Sequence, residues 1–304
     1  MAQPGSAFVW GTRGRGFESR HSDHSRSLIG LNLGAIAIKS FIAAAIIDLW
    51  YFGIKQAYAC IFAGLMLAAI LATKWLWADD FILARYDFLA IWAIAIQVVM
   101  VAFKLEHPNE IKVILIFHLV GTVMEIFKTH VGSWSYPEEN FLRIGGVPLF
   151  TGFMYGAVGS YIARVWRIFE FRYTGYPPVW QTALLSVLIY LNFFTHHFTW
   201  DIRWGLFALT VLLFSRTWIY YKPHKIYRSM PLLLGFVLVS FFIWIAENLG
   251  TFAAAWTYPE QGDGWSGVSL AKMGSWFLLM IISFVLVTLV NPIETMRQDK
   301  SQPT

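Results

Sequence analysis

The sequence predicts an all-α protein, a polytopic transmembrane helical bundle with eight spans, or nine if one further segment also crosses. Hydrophobic residues make up 57% of the 304 positions and charged residues only 13%, whereas soluble domains carry about 25% charged residues. The apolar residues form repeated runs of roughly 17–25 residues, the length at which a helix crosses a bilayer. A motif that occurs twice, four runs apart, adds a parallel internal repeat to this prediction.

Residues 1–27 are expected to lie outside the bundle as a disordered tail. Residues 11–23 read GTRGRGFESRHSD, which is polar, basic and without an apolar period. Residues 16–20 resemble the translation of a transfer-RNA gene, so we expect a mis-annotated start, and a genuine basic tail is the alternative. Residues 28–52 are apolar but carry Lys39 and Asp48. They are either the ninth span or an interfacial helix.

Eight apolar runs follow, and each predicts one span. They cover about residues 56–77, 87–103, 111–128, 146–166, 180–195, 203–221, 231–250 and 267–290. We divide them into a first membrane half, 53–178, and a second membrane half, 179–292. A cytoplasmic tail, 293–304, completes the chain.

Lysine and arginine accumulate in alternate connections, and such connections face the cytoplasm. The richer set comprises Lys104, Lys112, Arg164, Arg167, Arg172, Arg216, Lys222, Lys225 and Arg228. This bias predicts a cytoplasmic C-terminus. Topology and attraction to anionic lipid account for these charges and for the net charge of +5. No nucleic-acid partner is therefore expected.

The repeated motif follows the third and the seventh predicted spans. Residues 124–138 read MEIFKTHVGSWSYPE, and residues 246–260 read AENLGTFAAAWTYPE. The gapless alignment matches Glu125 with Glu247, and the remaining identical pairs are Thr129 and Thr251, Trp134 and Trp256, Tyr136 and Tyr258, Pro137 and Pro259, and Glu138 and Glu260. Copies four spans apart have the same orientation, so we predict parallel repeats. Local duplication of one hairpin is the alternative.

Glu125 and Glu247 are the main candidates for chemistry. A charged side chain at the centre of a span costs roughly 2.5–3.5 kcal/mol, and such residues face the bundle interior. Both lie toward the ends of their spans, where this cost is smaller. As a functional pair, one carboxyl acts as a general acid and the other stays ionised. The alternative is that each only crosslinks helices through hydrogen bonds.

Histidines and aromatic residues near these carboxyls complete the candidate site. The catalytic candidates are Glu125, Glu247, His130 and His196. The substrate-binding candidates are Trp134, Tyr136, Glu138, Trp256, Tyr258, Glu260 and His118. Imidazole with carboxylate is a ligand set for transition metals, so His196, His197 and Asp201 are candidates for a divalent metal. A hydrogen-bonded polar cap is the alternative, and the cofactor is left open.

Several long segments resemble a known family. They read KVILIFHLVGTVMEIFKTHVGSWSYPE, RIGGVPLFTGFMYGAVGSYIARVWR, NFFTHH, MPLLLGF, AENLGTFAAAWTYPEQGDGW and VSLAKMGSWFLLMIISFVLVTLV. From about Lys55 to Val290 the chain is similar to the bacterial domain-of-unknown-function family 817. This resemblance implies an integral protein of the bacterial inner membrane without an assigned reaction. The style of the duplicated motif alone is similar to the cofactor-free membrane lycopene cyclases, which carry out proton chemistry on polyenes.

Three functions follow from these observations. The first is a membrane enzyme whose carboxylate pair performs proton chemistry on a lipid or isoprenoid, a small apolar substrate. An ion-coupled transporter is the second, because intramembrane acids and parallel repeats also occur in carriers. A structural membrane partner without chemistry is the third. Oligomeric state and enzyme status stay open.

Overall fold

The computed structural model describes residues 42–78 and 81–296. The chain divides into two compact units, Met1–Leu49 and Trp50–Thr304. The predictions for residues 1–27, for the first part of the 28–52 segment and for most of the 293–304 tail lie outside the described residues.

The described residues are mostly helical. Their helices are α1 (Ile42–Ala59), α2 (Ile61–Leu76), α3 (Arg85–Ala102), α4 (Pro108–His130), α5 (Phe150–Ile168), α6 (Val179–Thr195), α7 (Arg203–Phe214), α8 (Leu232–Phe252) and α9 (Leu270–Thr288). Each of the eight predicted runs overlaps one of these helices, α2 to α9 in order. The run 203–221 is helical only to Phe214, and its remainder includes a β-strand, so that prediction was wrong at its C-terminal end.

Three of the described helices, α3, α8 and α9, are long and apolar enough to cross a membrane. A fourth crossing results if α1 and α2, which are bent by 67° at Cys60, count as one span. The shorter apolar helices α6 and α7 do not meet that length. The helical, membrane-compatible class is therefore established, and eight spans stay a prediction.

Two small antiparallel sheets connect the helices. The first pairs β1 (Arg143–Ile144) with β2 (Val147–Pro148). Its turn residues Gly145 and Gly146 have φ of 58° and 83°, a combination that favours glycine in a tight hairpin. The second sheet has the order β3 (Arg172–Thr174), β4 (Trp218–Tyr221), β5 (Arg228–Pro231). It adjoins the start of α8, and we call this region the sheet end.

The C-termini of α4 and α8 lie opposite the sheet end, and we call this region the carboxylate end. Glycines bring α4 and α5 into close contact there. A Cβ on Gly152 would lie 2.5 Å from the His118 ring, and one on Gly159 would lie 2.8 Å from Phe117. Gly121 of α4 faces the Tyr155 ring equally closely. This packing brings Tyr155 within reach of the end of α4.

Arg164 differs from its expected role as a topological surface charge. Its side chain is fully buried and lies 2.9 Å from Glu106, which is also buried. Ser160 donates a further hydrogen bond to Glu106 at 3.0 Å. Breaking a buried ion pair of this kind costs about 3–5 kcal/mol. Arg164 therefore anchors α5 to the segment before α4.

Candidate functional site

The two copies of the repeated motif contact each other directly. Ser135 and Thr257 form an isolated antiparallel bridge, with N–H···O distances of 3.0 and 2.9 Å. Their hydroxyl oxygens are 3.1 Å apart. The gapless alignment that matches Glu125 with Glu247 also matches Ser135 with Thr257. Contact between equivalent positions is what a local two-fold relation produces.

Glu125 accepts three hydrogen bonds near the end of α4. Trp134 Nε1 donates at 2.8 Å and the Tyr136 hydroxyl at 2.5 Å, both to Oε2. The Tyr155 hydroxyl of α5 donates to Oε1 at 2.7 Å. The Glu125 side chain is buried, so these donors replace the water that a carboxyl group would otherwise bind.

Glu247 is buried in a related environment near the end of α8. The Tyr258 hydroxyl donates to Oε1 and Trp276 Nε1 of α9 donates to Oε2. The hydrogen bond from tyrosine to glutamate therefore occurs in both copies with the same sequence spacing. The tryptophan contact differs, because Trp256 packs against Gly250 and α9 supplies the indole donor instead.

Both carboxyls are held by neutral donors alone. Among the ion pairs of the described residues, none includes Glu125 or Glu247. Hydroxyl and indole groups carry no charge, so they leave the negative charge of the buried Glu125 carboxylate uncompensated, and Glu247 is attracted by Lys272 only from beyond ion-pair distance. This environment suits a group that takes up and releases a proton.

Two lysines lie at the same end. Lys128 is 3% exposed, its Nζ lies 2.7 Å from His197 Nε2 and 4.0 Å from the Phe193 ring centre. The Nζ of Lys272 on α9 lies 3.9 Å from the Tyr258 ring centre and 5.8 Å from that of Trp134. The ring faces of the repeated motif therefore already contact a cation.

The neighbouring histidines lie in surroundings that favour the neutral imidazole. His196 Nδ1 donates to the Asn192 carbonyl at 2.9 Å, and the two imidazole centres are 4.0 Å apart. Burial lowers the pKa of His196, and partial burial together with the Lys128 cation lowers the pKa of His197. His197 Nε2 consequently accepts the hydrogen bond from Lys128.

The residues predicted as metal ligands have other partners. Asp201 accepts from Arg203 Nε at 2.6 Å and from Asn192 Nδ2 at 3.1 Å. His197 accepts from Lys128, as described above. Within residues 42–78 and 81–296, no group of three or more His, Cys, Asp or Glu side chains is arranged to hold a metal ion. The geometry matches the alternative of a hydrogen-bonded polar cap.

A cavity of about 1060 Å³ connects these groups. Its polar lining at the carboxylate end comprises Glu125, Lys128, Ser133, Trp134, Tyr136, Tyr155, Asn192, His196, His197, Arg203, Glu247, Trp256, Tyr258, Glu260, Lys272 and Trp276. Apolar side chains of α2, α5, α8 and α9 line the rest, down to Phe169 and Tyr221 near the sheet end. Leu238 and Phe242 of α8 line it too and are 44% and 67% exposed, so the cavity reaches the apolar surface of the protein.

Four predicted site residues lie outside this cavity lining, namely Asp201, whose partners are given above, and Glu138, His118 and His130. Glu138 forms an ion pair with the buried Arg85 at 2.5 Å, and Arg85 also donates to the Ala253 carbonyl at 2.8 Å. Glu138 therefore ties the first loop to α3, in contrast to its counterpart Glu260. His118 packs between Gly152 and Phe153. His130 is exposed at the end of α4.

Sequence reasoning missed four groups that form the site. Tyr155 and Trp276 donate to the two carboxyls, and Lys128 and Lys272 supply its cations. The two lysines could have been identified from the sequence, because each is a charged residue within or beside an apolar run. Tyr155 and Trp276 could not have been identified in this way, since aromatic residues are common in the predicted spans.

The chain is similar to one protein family and to one bacterial protein. Residues 48–284 match the protein family described as "Protein of unknown function (DUF817)", which confirms the resemblance identified from the sequence. The chain is 44% identical to the Bacillus subtilis (strain 168) protein described as uncharacterized protein YoaT. That similarity extends over 258 residues, 85% of this chain and 97% of that protein. No solved structure matches the chain.

Proposed function

The chain belongs to the DUF817 family, whose description assigns no reaction, and we propose from its geometry that it is a membrane enzyme performing proton chemistry on a lipid or isoprenoid. The observation that carries this proposal is the environment of Glu125 and Glu247. Two buried carboxyls without a cationic partner line one cavity whose remaining walls are mostly apolar. A ligand pocket combines apolar walls with a few placed polar groups. Apolar walls as extensive as these suit a substrate with an apolar chain better than a small water-soluble substrate.

The proposed setting is the bacterial inner membrane, with eight spans, parallel repeats and a cytoplasmic C-terminus. The three long apolar helices and the bacterial relative support a membrane location. The bridge between Ser135 and Thr257 supports the repeat, because equivalent positions meet. The excess of lysine and arginine in alternate connections supports the orientation. In this arrangement the carboxylate end faces outward.

The cavity supports entry of the substrate from the membrane. Its volume of about 1060 Å³ exceeds the upper range of roughly 300–1,000 Å³ for ordinary ligand pockets. Exposed Leu238 and Phe242 form part of its lining on α8. A lipid chain can therefore pass beside α8 without crossing water.

The proposed reaction moves one proton onto the substrate and removes another. The carboxylic acid of one glutamate transfers its proton to a carbon of a double bond, so a C–H bond forms and a carbocation results. The carboxylate of the other glutamate removes a proton from an adjacent carbon, and the electrons of that C–H bond form a new double bond. No oxidant is needed. Trp134 and Tyr258 stabilise the cation through their ring faces, as they do the Lys272 ammonium.

Lipid analysis with matched variants tests this function. In a strain whose deletion of the gene alters the extracted lipids or isoprenoids, Glu125→Gln and Glu247→Gln should each fail to restore the wild-type profile. Glu139→Gln is the control, because Glu139 lies in the same loop, is exposed and does not line the cavity. Full restoration by both cavity variants, expressed at wild-type level, would refute the proposal and favour a structural role.

An ion-coupled transporter is the second candidate, favoured by one observation. The cavity continues from the carboxylate end to Phe169 and Tyr221 near the sheet end. Rings of Phe52, Phe169 and Tyr221 pack together there, with centroids 5.4–6.2 Å apart, and form a floor that transport would have to open. Proton flux in proteoliposomes that is abolished by Glu247→Gln, together with an unchanged lipid profile, would favour transport over catalysis.

A further inference from the structure

Lys128 and Lys272 are cations in the cavity that carboxylates attract only from beyond ion-pair distance: Asp201 acts on Lys128, and Glu247 and Glu260 act on Lys272. Neither forms an ion pair in the part of the chain that the structure describes. Lys128 is almost completely buried, and its contacts are a neutral imidazole and a phenyl ring. Lys272 contacts aromatic ring faces. Burying the Lys128 ammonium group without a counter-ion in contact is costly. The partly exposed Lys272 lines the same end of the cavity, so the two lysines together suit a bound anion.

The other groups beside these lysines favour an anionic ligand. Arg203 lines the cavity, and its Nε donates to Asp201 at 2.6 Å. Ser133 adds a hydroxyl 3.4 Å from His197. Lysine binds phosphate as a compact point charge, and arginine adds a planar donor fork. These three cations share their end of the cavity with Glu125, Glu247 and Glu260. A group with more than one negative charge therefore fits there when some of these carboxyls are protonated.

The anion must also fit the rest of the cavity. Below the lysines the lining is apolar, from Met154 on α5 to Phe236 on α8. A free inorganic anion would leave that volume unused, whereas an amphiphile fills both parts. We propose that Lys128 and Lys272, assisted by Arg203, bind the phosphate or diphosphate head group of a lipid or isoprenoid whose chain occupies the apolar cavity. This inference rests on the proposed function and specifies its substrate class.

Such a head group would also act on the carboxyls. Glu125 lies one turn before Lys128 on α4, and Glu247 shares Tyr258 with Lys272. A phosphate beside a carboxyl group favours the neutral, protonated form of that carboxyl because like charges repel. Binding of the head group therefore loads a proton where the reaction needs it.

Binding of three probes to the purified full-length protein in detergent tests the inference. The probes are farnesyl diphosphate, farnesol and inorganic diphosphate, and the readout is the shift in the thermal unfolding midpoint as each probe is titrated. We expect farnesyl diphosphate to stabilise the wild-type protein at concentrations at least tenfold below those of farnesol. Inorganic diphosphate should bind more weakly than farnesyl diphosphate. Equal binding of free diphosphate would overturn the lipid assignment.

Variants of the lysines assign the site. Lys128→Met and Lys272→Met keep the length of the side chain and remove its charge, and each should weaken farnesyl diphosphate at least tenfold while leaving farnesol unchanged. Lys225→Met, an exposed lysine near the sheet end, is the control. Size-exclusion profiles identify any variant that fails to fold. If one of the two lysine variants does not fold, the binding of the other one tests the site. Unchanged diphosphate binding in both folded variants would refute the inference.

These results separate the inference from the proposed function. If the glutamate variants fail to restore the lipid profile but the lysine variants bind and restore normally, only the head-group assignment is wrong. If farnesyl diphosphate binding depends on the lysines but the glutamate variants restore the profile, the proton chemistry is wrong and the binding site stands.

Discussion

Glutamine at position 125 should preserve the shape of the site while removing its acid. Trp134 and Tyr136 both donate to Oε2, at 2.8 and 2.5 Å, and Tyr155 donates to Oε1 at 2.7 Å. An indole N–H can only donate, so the glutamine carbonyl must occupy the Oε2 position. The amide NH₂ then faces Tyr155, whose hydroxyl can turn and accept. Every partner therefore keeps a hydrogen bond.

Alanine at the same position leaves all three donors without an acceptor. Each buried unsatisfied donor costs about 1–3 kcal/mol, so the free energy of unfolding should fall by at least about 3 kcal/mol. In Glu125→Gln the hydrogen bonds persist but lose their charge assistance, and the cost of burying a charge disappears as well. We expect a loss below about 2 kcal/mol for this variant.

Unfolding in mixed detergent micelles, followed by tryptophan fluorescence, measures both losses. Glu139→Ala and Glu139→Gln are the matched pair on an exposed carboxyl, and both should change the unfolding free energy by less than about 0.5 kcal/mol. Equal stability of Glu125→Ala and Glu125→Gln would show that the three donors do not depend on this carboxyl, and the description of the site would be wrong.

Three further outcomes are expected. Arg164→Ala should lower the unfolding free energy by about 3–5 kcal/mol, because it leaves Glu106 buried without its cation. Lys222→Ala breaks the exposed ion pair with Glu170 and should cost at most about 1 kcal/mol, and equal losses would contradict the buried pair. Gly152→Ala should cost about 1–3 kcal/mol by pressing α5 away from α4, whereas Gly205→Ala, with open space around it, should cost nothing. Burial holds the pKa of His196 in the folded state below its value in the unfolded chain, so the folded state binds fewer protons. The free energy of unfolding should therefore fall as the pH drops below about 6.5. If His196→Gln shows the same dependence of stability on pH as the wild type, His196 is not its source.

The helices could be predicted because hydropathy is a local property. Each apolar run overlaps a helix, and Tyr258 is extended before Pro259 as the restriction on residues preceding proline requires. Local reasoning failed in 203–221, where Trp218–Tyr221 reads as the end of an apolar span. These residues form the middle strand of a sheet with β3 and β5, and pairing with distant strands is not visible in a local window.

The candidate site was predicted to the extent that the repeat encodes it. The matched glutamates and tyrosines proved to be hydrogen-bonded in both copies, and both carboxyls line one cavity. The role of Glu138 was missed because its partner Arg85 lies 53 residues earlier and is buried by the fold. Sequence identity with Glu260 suggested equal roles, but Arg85 of α3 forms its ion pair with Glu138 and contacts the second copy only through the Ala253 carbonyl.

The unequal partners of the two carboxyls have a consequence for direction. Glu125 receives a hydroxyl from α5 in addition to the donors of its own motif, whereas Glu247 takes its indole donor from α9. If both carboxyls had identical surroundings, they would bind a proton with the same free energy. Neither glutamate would then be favoured as the proton donor or as the proton acceptor. The different donors from α5 and α9 remove that degeneracy, so in the proposed reaction two similar motifs can supply one proton donor and one proton acceptor.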